Sequence, residues 1–188
     1  MYSVLLDACV LVPNALCDTL IRLAERGFYR PLWSERILDE TAWAVRTVHP
    51  ELDPLRVRRR LDAMNATFED ALVEGWEQVS AGLDLPDDND RHVLAAAVRG
   101  GAQVIVTFNV KDFPEDRLLP TGVGVEHPDE FLLDQLDLLP GVAYQVLTEQ
   151  ARDLRNPPSD LDGVLNRLER CGVPRFADAV RLLEPGDP

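Results

Sequence analysis

The stretch LPDDNDRHVLAAAV, residues 85–98, places three aspartates and an asparagine directly before an apolar helix. Asp87 or Asp88 is enough to cap that helix, because an aspartate side chain accepts hydrogen bonds from the first free backbone amides. Asp90 then falls in the first turn, on the face that the helix should bury. The same face carries Val93, Leu94 and Ala97. Because the helix dipole explains an acid in this turn but not its place among apolar side chains, the pattern indicates that Asp90 points inward, at a cation.

Acidic and polar residues also follow the two clearest strand-like segments. Asp7 ends the apolar run of SVLLDA (3–8), where a parallel strand would deliver its side chain to the carboxyl edge of the sheet. In open α/β sheets that edge is where ligands bind. The strand AQVIVTF (102–108) would deliver three more polar side chains to the same edge, namely Thr107, Asn109 and Asp112. Ordinary turn chemistry is the alternative explanation for the asparagine and the aspartate.

A glutamate on the helix that begins after Ser34 is a further candidate. Glu40 borders the apolar stripe of that helix, and Glu35 borders the stripe on its opposite side. Periodicity alone therefore does not separate the two glutamates. An isolated glutamate at the edge of an apolar stripe is usually solvated, so only the other acids make this position interesting.

Several carboxylates that converge without compensation raise each other's pKa, and a divalent cation resolves that conflict. All the candidate ligands are hard oxygen donors, and the sequence offers no plausible histidine or cysteine set beside them. This donor chemistry selects Mg²⁺ or Mn²⁺ over zinc. The three histidines are scattered, and His92 falls on the polar face of its helix, which makes it a doubtful catalyst.

Strand-like and helix-like segments alternate over the first two thirds of the chain, which predicts a parallel sheet covered on both faces. Strands are expected within 3–8, 102–108 and 122–125, and helices over 15–26, from Ser34 onward, 54–66 and 88–99. After Pro128 only helices are predicted, over 129–138, 140–154, 160–170 and 175–183. We therefore expect an α/β domain over residues 1–127 and a helical extension over 128–188, which packs on the first domain or forms a dimer contact.

The chain has 188 residues, a formal net charge of -14 and a pI near 4.5, which argues against a general nucleic-acid coat. The exception is RVRRRL, whose basic residues form either a solvated helix face or a weak phosphate-contacting patch. These residues are Arg56, Arg58, Arg59 and Arg60. The apolar N-terminus lacks a basic lead and is interrupted by Asp7, so neither a signal peptide nor a membrane span is expected. Three cysteines without metal-ligand spacing favour a reducing cytoplasm.

Four motifs in order, LLDACVLV, ILDE, DRHVLAAAV and VTFNVKDF, resemble those of the PIN-domain nucleases, and within them the toxins of VapBC-type toxin–antitoxin systems. The resemblance covers about residues 2 to 126. It implies a three-layer α/β/α fold and a metal-dependent ribonuclease. The acids that match the family are Asp7, Glu40, Asp90 and Asp112, with Asn109 and Thr107 in support. The match selects Glu40 over Glu35, and we add Asp88 as a supporting residue although capping alone accounts for it.

Two features depart from that family. Cys9 stands where a small hydroxyl or amide is common, and because a thiol is a poorer hydrogen-bond partner, the orientation of Asp7 should depend on other groups. The chain also continues beyond the usual end of such toxins. The resemblance further implies an RNA substrate, a homodimer and a small DNA-binding antitoxin of VapB type, whose arginines would pair with the carboxylates.

Three other functions compete with a toxin. The first is a stand-alone RNA-processing PIN nuclease without an antitoxin. The second is a Mg²⁺-dependent phospho-acceptor signalling domain with Asp7 as acceptor and with Thr107 and Lys111 nearby, although Lys111 falls in a different turn from the one such domains use. The third is a non-catalytic module whose acids hold a structural cation or an arginine-rich partner.

Overall fold

A computed structural model describes residues 2–155 and 157–183 of the chain. Its contacts divide the chain into two compact units. The first comprises the residues up to Val12 together with Tyr29–Glu126, and the second comprises Pro13–Phe28 together with the described residues from His127 onward.

The first unit contains a four-stranded parallel sheet with the strand order β2-β1-β3-β4. Its strands are β1 (Ser3–Leu6), β2 (Arg30–Leu32), β3 (Val104–Val106) and β4 (Gly124–Glu126). In the central pair, Val4 of β1 lies opposite Val104 of β3. All residues of these two strands are buried, as expected for parallel strands covered on both faces. The predicted strands are confirmed, and so is the three-layer α/β/α fold class with a parallel sheet.

Strand β2 was not predicted from the sequence. It contains Pro31, which has no backbone N–H and which reads as a strand breaker in isolation. The strand order places β2 at the edge of the sheet, where a proline is tolerated. Its attachment to β1 includes a hydrogen bond of 2.8 Å from Arg30 N to Tyr2 O.

Helices surround this sheet within the first unit. They are α1 (Ala8–Leu11), α3 (Glu35–Val48), α4 (Pro54–Thr67), α5 (Glu77–Ser80), α6 (Arg91–Gly100) and α7 (Glu115–Leu118). Short 3₁₀ turns cover Val110–Asp112 and Leu119–Thr121. Ser34 caps α3 by accepting a hydrogen bond from Ile37 N at 3.3 Å, as the sequence predicts. Helix α4 begins at Pro54, also as predicted.

Helix α6 is the most deeply buried helix of this unit, with every residue from His92 to Ala97 buried. It is followed by Gly101, whose φ of 69° lies in the left-handed region that favours glycine. At the preceding Gly100, an added Cβ would lie 2.8 Å from Val73 Cγ2. The small residues of α6 therefore permit a close approach that a larger side chain would prevent.

The second unit is helical. It contains α2 (Asn14–Glu25), α8 (Pro128–Leu138), α9 (Pro140–Asp153), α10 (Leu161–Arg170) and α11 (Pro174–Arg181). Helix α2 joins it through Thr19, whose hydroxyl donates to Gln150 Oε1 at 2.8 Å, and through an ion pair of 2.8 Å between Arg22 and Asp153. The sequence assigned α2 to the first domain, but its contacts group it with the C-terminal helices. The position of a domain boundary at 127/128 stays a prediction.

None of the helices in residues 2–155 and 157–183 combines the length and the apolar character needed to cross a membrane.

Candidate active site

Asp7 lies at the carboxyl end of β1 and is buried. Its Oδ1 accepts a hydrogen bond from Ala8 N at 2.7 Å, so the side chain caps α1. Its Oδ2 accepts one from the Thr107 hydroxyl at 2.7 Å. Because β1 and β3 are adjacent parallel strands, the residues that follow them meet at one edge of the sheet. Thr107 and Asp7 are thus brought together by the register of the two strands.

Cys9 lies beside this pair. Its Sγ is 3.2 Å from Asp7 Oδ2 and 3.2 Å from Thr107 Oγ1, and it accepts a hydrogen bond of 3.3 Å from Phe108 N. Burial, together with the negative charge of Asp7, raises the pKa of the Cys9 thiol to about 12. The sulfur therefore keeps its proton and stays a weak donor. Thr107 is the stronger donor to Asp7. The expectation that a group other than Cys9 orients this carboxylate therefore agrees with the structure.

Asp90 is the residue immediately before the first turn of α6. Its backbone has helical angles (φ -87°, ψ -8°), and its side chain makes no capping hydrogen bond. Burial, together with the negative charges of Asp112, Asp7 and Asp87, raises the pKa of Asp90 to about 6. Asp7, Asp90 and Asp112 come from three separate elements and lie close enough to interact electrostatically. A cation would relieve that repulsion.

The predicted capping of α6 is wrong. Asp87 accepts a hydrogen bond from Asn89 N at 2.8 Å, within the turn that precedes the helix. Asp88 is exposed and pairs with Arg91. Neither side chain caps α6, which begins three residues later than expected. The reason is that residues 87–90 form a separate turn, in which Asp90 N donates to Asp87 O at 3.2 Å.

Glu40 lies on α3 and is half-buried. Its Oε1 is 3.1 Å from Arg36 Nε and 3.1 Å from His92 Nε2. Burial by itself would raise the pKa of Glu40, but the hydrogen bonds and charges of His92 and Arg36 outweigh burial and lower it. Glu40 therefore stays ionised. Its partner His92 follows Asp90 by two positions, but Glu40 itself is not among the acids that raise the pKa of Asp90.

The structure contradicts the position predicted for His92. This residue is 3% exposed, not on a polar face, and its ring centroid lies 5.8 Å from that of Trp76. One signal in the sequence could have found it. The positions three and four residues ahead, Ala95 and Ala96, are apolar, so the face of α6 that carries His92 is not a polar one.

The remaining candidate residues, Asp112, Asn109 and Asp88, differ in whether they contact or interact electrostatically with the other acids of the site. Asp112 is half-buried in its 3₁₀ turn and interacts with Asp90, as described above. Asn109 is exposed, and its contact with the site is made by its backbone, since Asn109 N donates to Thr107 Oγ1 at 3.1 Å. Asp88 contacts Arg91 rather than the other acids.

The basic residues of α4 do not act as one patch. Arg56, Arg58 and Arg59 are exposed, and Arg58 pairs with Asp62 at 3.1 Å. The guanidinium of Arg60 donates a hydrogen bond of 2.7 Å to Leu11 O, at the end of α1. Arg60 thus connects two helices of the first unit, which leaves three of the four arginines at the surface.

The donor set fits a hydrated divalent ion better than a closed metal cage. In the described part of the chain, no group of three or more His, Cys, Asp or Glu side chains is arranged to hold an ion. Mg²⁺ usually keeps several waters and takes only one or two carboxylates directly, so it does not require such a group. The carboxylates near Asp90 are hard oxygen donors with a mutual repulsion that an ion would offset.

A cavity of about 450 Å³ lies beside this region. It includes Arg36, which contacts Glu40, and Trp76, which packs on His92. The other residues that line it are Glu35, Asp39, Leu72, Val73, Glu74, Gly75 and Glu77. None of the four candidate acids is among its lining residues, so the cavity is a neighbour of the site and not the site itself.

Comparison with known proteins identifies the family of this chain. The PIN domain profile matches residues 3–111, which is more than half of the chain. The chain belongs to the PIN-domain family. The matched range contains Asp7, Glu40 and Asp90, while Asp112 follows it directly. In this PIN-domain protein, residues 128–182 match a second profile, the VapC50 C-terminal domain.

A curated relative from Mycobacterium tuberculosis, named "Putative ribonuclease VapC50", is 47% identical over 96 residues. The alignment covers 51% of this chain and 56% of the relative, so the chain spans little more than half of the relative's length. No solved structure matches the chain. The VapC50 C-terminal domain profile covers the four C-terminal helices, α8 to α11.

Proposed function

We propose that this PIN-domain protein is a Mg²⁺- or Mn²⁺-dependent endoribonuclease and the toxin of a VapBC-type toxin–antitoxin system. The observation that carries the proposal is the electrostatic interaction of Asp90 with Asp7 and Asp112, three carboxylates from separate elements of a PIN fold. The name of the M. tuberculosis relative supports a ribonuclease.

In the proposed site, Asp7 and Asp90 are the main ligands of the ion, and Glu40 and Asp112 complete it directly or through waters. When bound, the ion supplies an acidified water and offsets negative charge on the scissile phosphate. The chain's own groups position these ligands. Thr107 donates to Asp7, and Asn109 N in turn donates to the Thr107 hydroxyl. RNA hydrolysis at this site would leave 5′-phosphate and 3′-hydroxyl ends.

The proposed partner is a small DNA-binding antitoxin. An arginine of such a partner can pair bidentately with carboxylates, which would place a cation where the metal otherwise binds. The exposed arginines Arg56, Arg58 and Arg59 supply a modest and salt-sensitive contact for single-stranded RNA. The chain has only three cysteines, an odd number without metal-ligand spacing, which supports a cytoplasmic location. We also retain a homodimer as part of this proposal.

The deciding experiment incubates purified protein with total RNA in EDTA, in Mg²⁺ and in Mn²⁺. Wild-type protein should cleave only with a divalent ion, and Asp7→Ala should not cleave at all. Asp116→Asn is the matched control, because Asp116 is an exposed acid that pairs with Arg117 at 3.3 Å on α7. Equal cleavage by wild type and Asp7→Ala would remove Asp7 from the mechanism. Co-expression with the small protein encoded beside the gene separates a toxin, which it should inhibit, from a stand-alone nuclease.

A further inference from the structure

The side chains of His92 and Glu40 form an ionisable contact next to the candidate site, in which the imidazole is buried and the carboxylate is half-exposed. His92 is 3% exposed, and its Nε2 lies 3.1 Å from Glu40 Oε1. Arg36 Nε contacts the same oxygen at 3.1 Å. Within the described residues, the other oxygen, Oε2, has no hydrogen-bond partner. Two donors therefore converge on one oxygen of Glu40 and leave its other oxygen for a further ligand.

The surroundings of His92 determine which ring nitrogen carries the proton. Nδ1 is buried and has no hydrogen-bond partner among residues 2–155 and 157–183. A neutral imidazole has one N–H, and burying that N–H without an acceptor is costly, whereas Nε2 faces an ionised carboxylate. In the neutral ring the proton therefore resides on Nε2 and is donated to Glu40.

His92 lies between the segments that carry two of the candidate acids, Glu40 and Asp90. It follows Asp90 by two residues on α6, and Glu40 lies on α3. Trp76 packs on the imidazole with an interplanar angle of 58°, which restricts the ring. One contact of 3.1 Å, between His92 Nε2 and Glu40 Oε1, therefore joins α3 to α6 two residues after Asp90.

We propose that His92 is a positioning residue, which through its Nε2–H holds Glu40 in the orientation that completes the metal site. This inference rests on the proposed function, because it assigns Glu40 to that site. A histidine that only filled space would need its ring volume and not its donor. Outer partners of metal ligands typically change metal affinity by about 10- to 100-fold when they are removed.

The test compares His92→Gln with His92→Asn. The amide nitrogen of glutamine reaches about as far as Nε2 of histidine, whereas that of asparagine reaches only as far as Nδ1. Mn²⁺ affinity is measured without RNA, by the EPR signal of free Mn²⁺ or by calorimetry. We expect His92→Asn to weaken Mn²⁺ binding about 10-fold, since Arg36 still contacts Glu40, and His92→Gln to stay within about 3-fold of wild type.

Two controls accompany this pair. His49→Gln changes an exposed histidine that contacts Glu51 at 3.2 Å, and it should leave Mn²⁺ affinity unchanged. Thermal melts in EDTA report whether either His92 variant has lost its fold, and comparison is made between variants with equal melting temperatures. If His92→Asn does not fold, the ¹⁵N shifts of the wild-type ring decide the matter. An unprotonated Nε2 with a protonated Nδ1 would overturn the proposal.

The outcomes separate this inference from the proposed function. Equal Mn²⁺ affinities for His92→Gln and His92→Asn would overturn the positioning role while leaving a metal-dependent nuclease in place. Mn²⁺ binding that follows the predicted order without any RNA cleavage would overturn the nuclease and keep the positioning role. Wild-type protein that binds no Mn²⁺ would overturn both.

Discussion

Asp90 in the first unit and Asp129 in the second are both aspartates beside the N-terminus of a helix, and they are used in opposite ways. Asp129 is buried, and its two oxygens accept hydrogen bonds from the first amides of α11, at 2.9 Å from Phe176 N and 3.2 Å from Arg175 N. Asp90 precedes α6 and makes no capping hydrogen bond. One carboxylate is satisfied by the fold, and the other is left available.

The neighbours of the two aspartates explain this difference. Asp129 meets backbone N–H groups, which stabilise a buried charge and need no ligand. Asp90 meets other acids, and these raise its pKa along with burial. A fold that brings like charges together loses stability unless an ion binds. The comparison therefore assigns a structural role to Asp129 in the second unit and an ion-binding role to Asp90 in the first.

The largest expected effect is on Asp90→Asn. RNA cleavage should fall by more than about 100-fold, because a direct metal ligand contributes more than the outer partners that typically account for 10- to 100-fold. The measurement is the rate of cleavage of a defined RNA in Mn²⁺. In EDTA, the circular dichroism spectrum of Asp90→Asn should match that of wild type, and its melting temperature should be equal or higher. Undiminished Mn²⁺-dependent cleavage would place Asp90 outside the mechanism.

Asp129→Ala should have the opposite profile. Loss of two hydrogen bonds to the start of α11 should lower the free energy of unfolding by about 2 kcal/mol. Urea denaturation followed by circular dichroism measures this change. Asp178→Ala, which alters an exposed residue of the same helix, is the control and should change stability by no more than about 0.5 kcal/mol. Mn²⁺ affinity of folded Asp129→Ala should equal that of wild type, and a large loss would contradict the contrast between the units.

Thr107→Val tests how the site is held in place. The substitution keeps the shape of the side chain but removes the hydroxyl that donates to Asp7 Oδ2 at 2.7 Å. We expect Mn²⁺ affinity to fall about 10-fold, because Cys9 remains as a weaker donor. Calorimetric titration with Mn²⁺ measures the change. Thr47→Val is the matched control, since its hydroxyl contacts only the Trp43 carbonyl on an exposed part of α3; equal losses in both variants would refute a specific role for Thr107.

The smallest expected effect concerns stability without metal. The pKa of Asp90 is raised to about 6 in the folded protein. The free energy of unfolding should therefore fall as pH rises from about 4 through 6, because the carboxyl ionises more readily in the unfolded chain. In EDTA at pH 7.5, Asp90→Asn should therefore be more stable than wild type, by no more than about 1 kcal/mol since solvent screens a half-exposed group.

Below the unfolded-state pKa of an aspartate this advantage should vanish, because the carboxyl is then protonated in both states. Saturating Mg²⁺ should reverse the order at pH 7.5, since binding stabilises only the wild-type fold strongly. Melting curves at pH 3.5 and 7.5, with and without Mg²⁺, give all three comparisons. A lower stability of Asp90→Asn in EDTA at pH 7.5 would show that Asp90 is satisfied within the fold.

Much of the fold could be predicted because its signals are local. The buried strands β1 and β3 are continuous apolar runs, Ser34 and Pro54 mark helix starts, and each C-terminal helix has its own apolar stripe. Strand β2 was missed because its proline is acceptable only at a sheet edge, and being at an edge is a property of the strand order.

The candidate site could be predicted in part. Asp7 and Asp112 followed from the rule that parallel strands deliver side chains to one edge, and Asp90 from its place on an apolar face. Glu40 followed only from the family resemblance, since periodicity left Glu35 equally open. His92 was placed on a polar face although Ala95 and Ala96, three and four positions later, are apolar, and the structure shows that α6 is buried on several sides.

By itself, the sequence determined which residues have the chemistry for a site and in which elements they lie, because strands, caps and apolar stripes depend on neighbours within a few positions. Tertiary structure alone decided which of these groups meet. Thr107 meets Asp7 across 100 positions of the chain, and His92 meets Glu40 across 52. Helix α2 packs with C-terminal helices that lie more than 100 positions later. Such contacts are set by strand register and helix packing, which no local pattern of residues specifies.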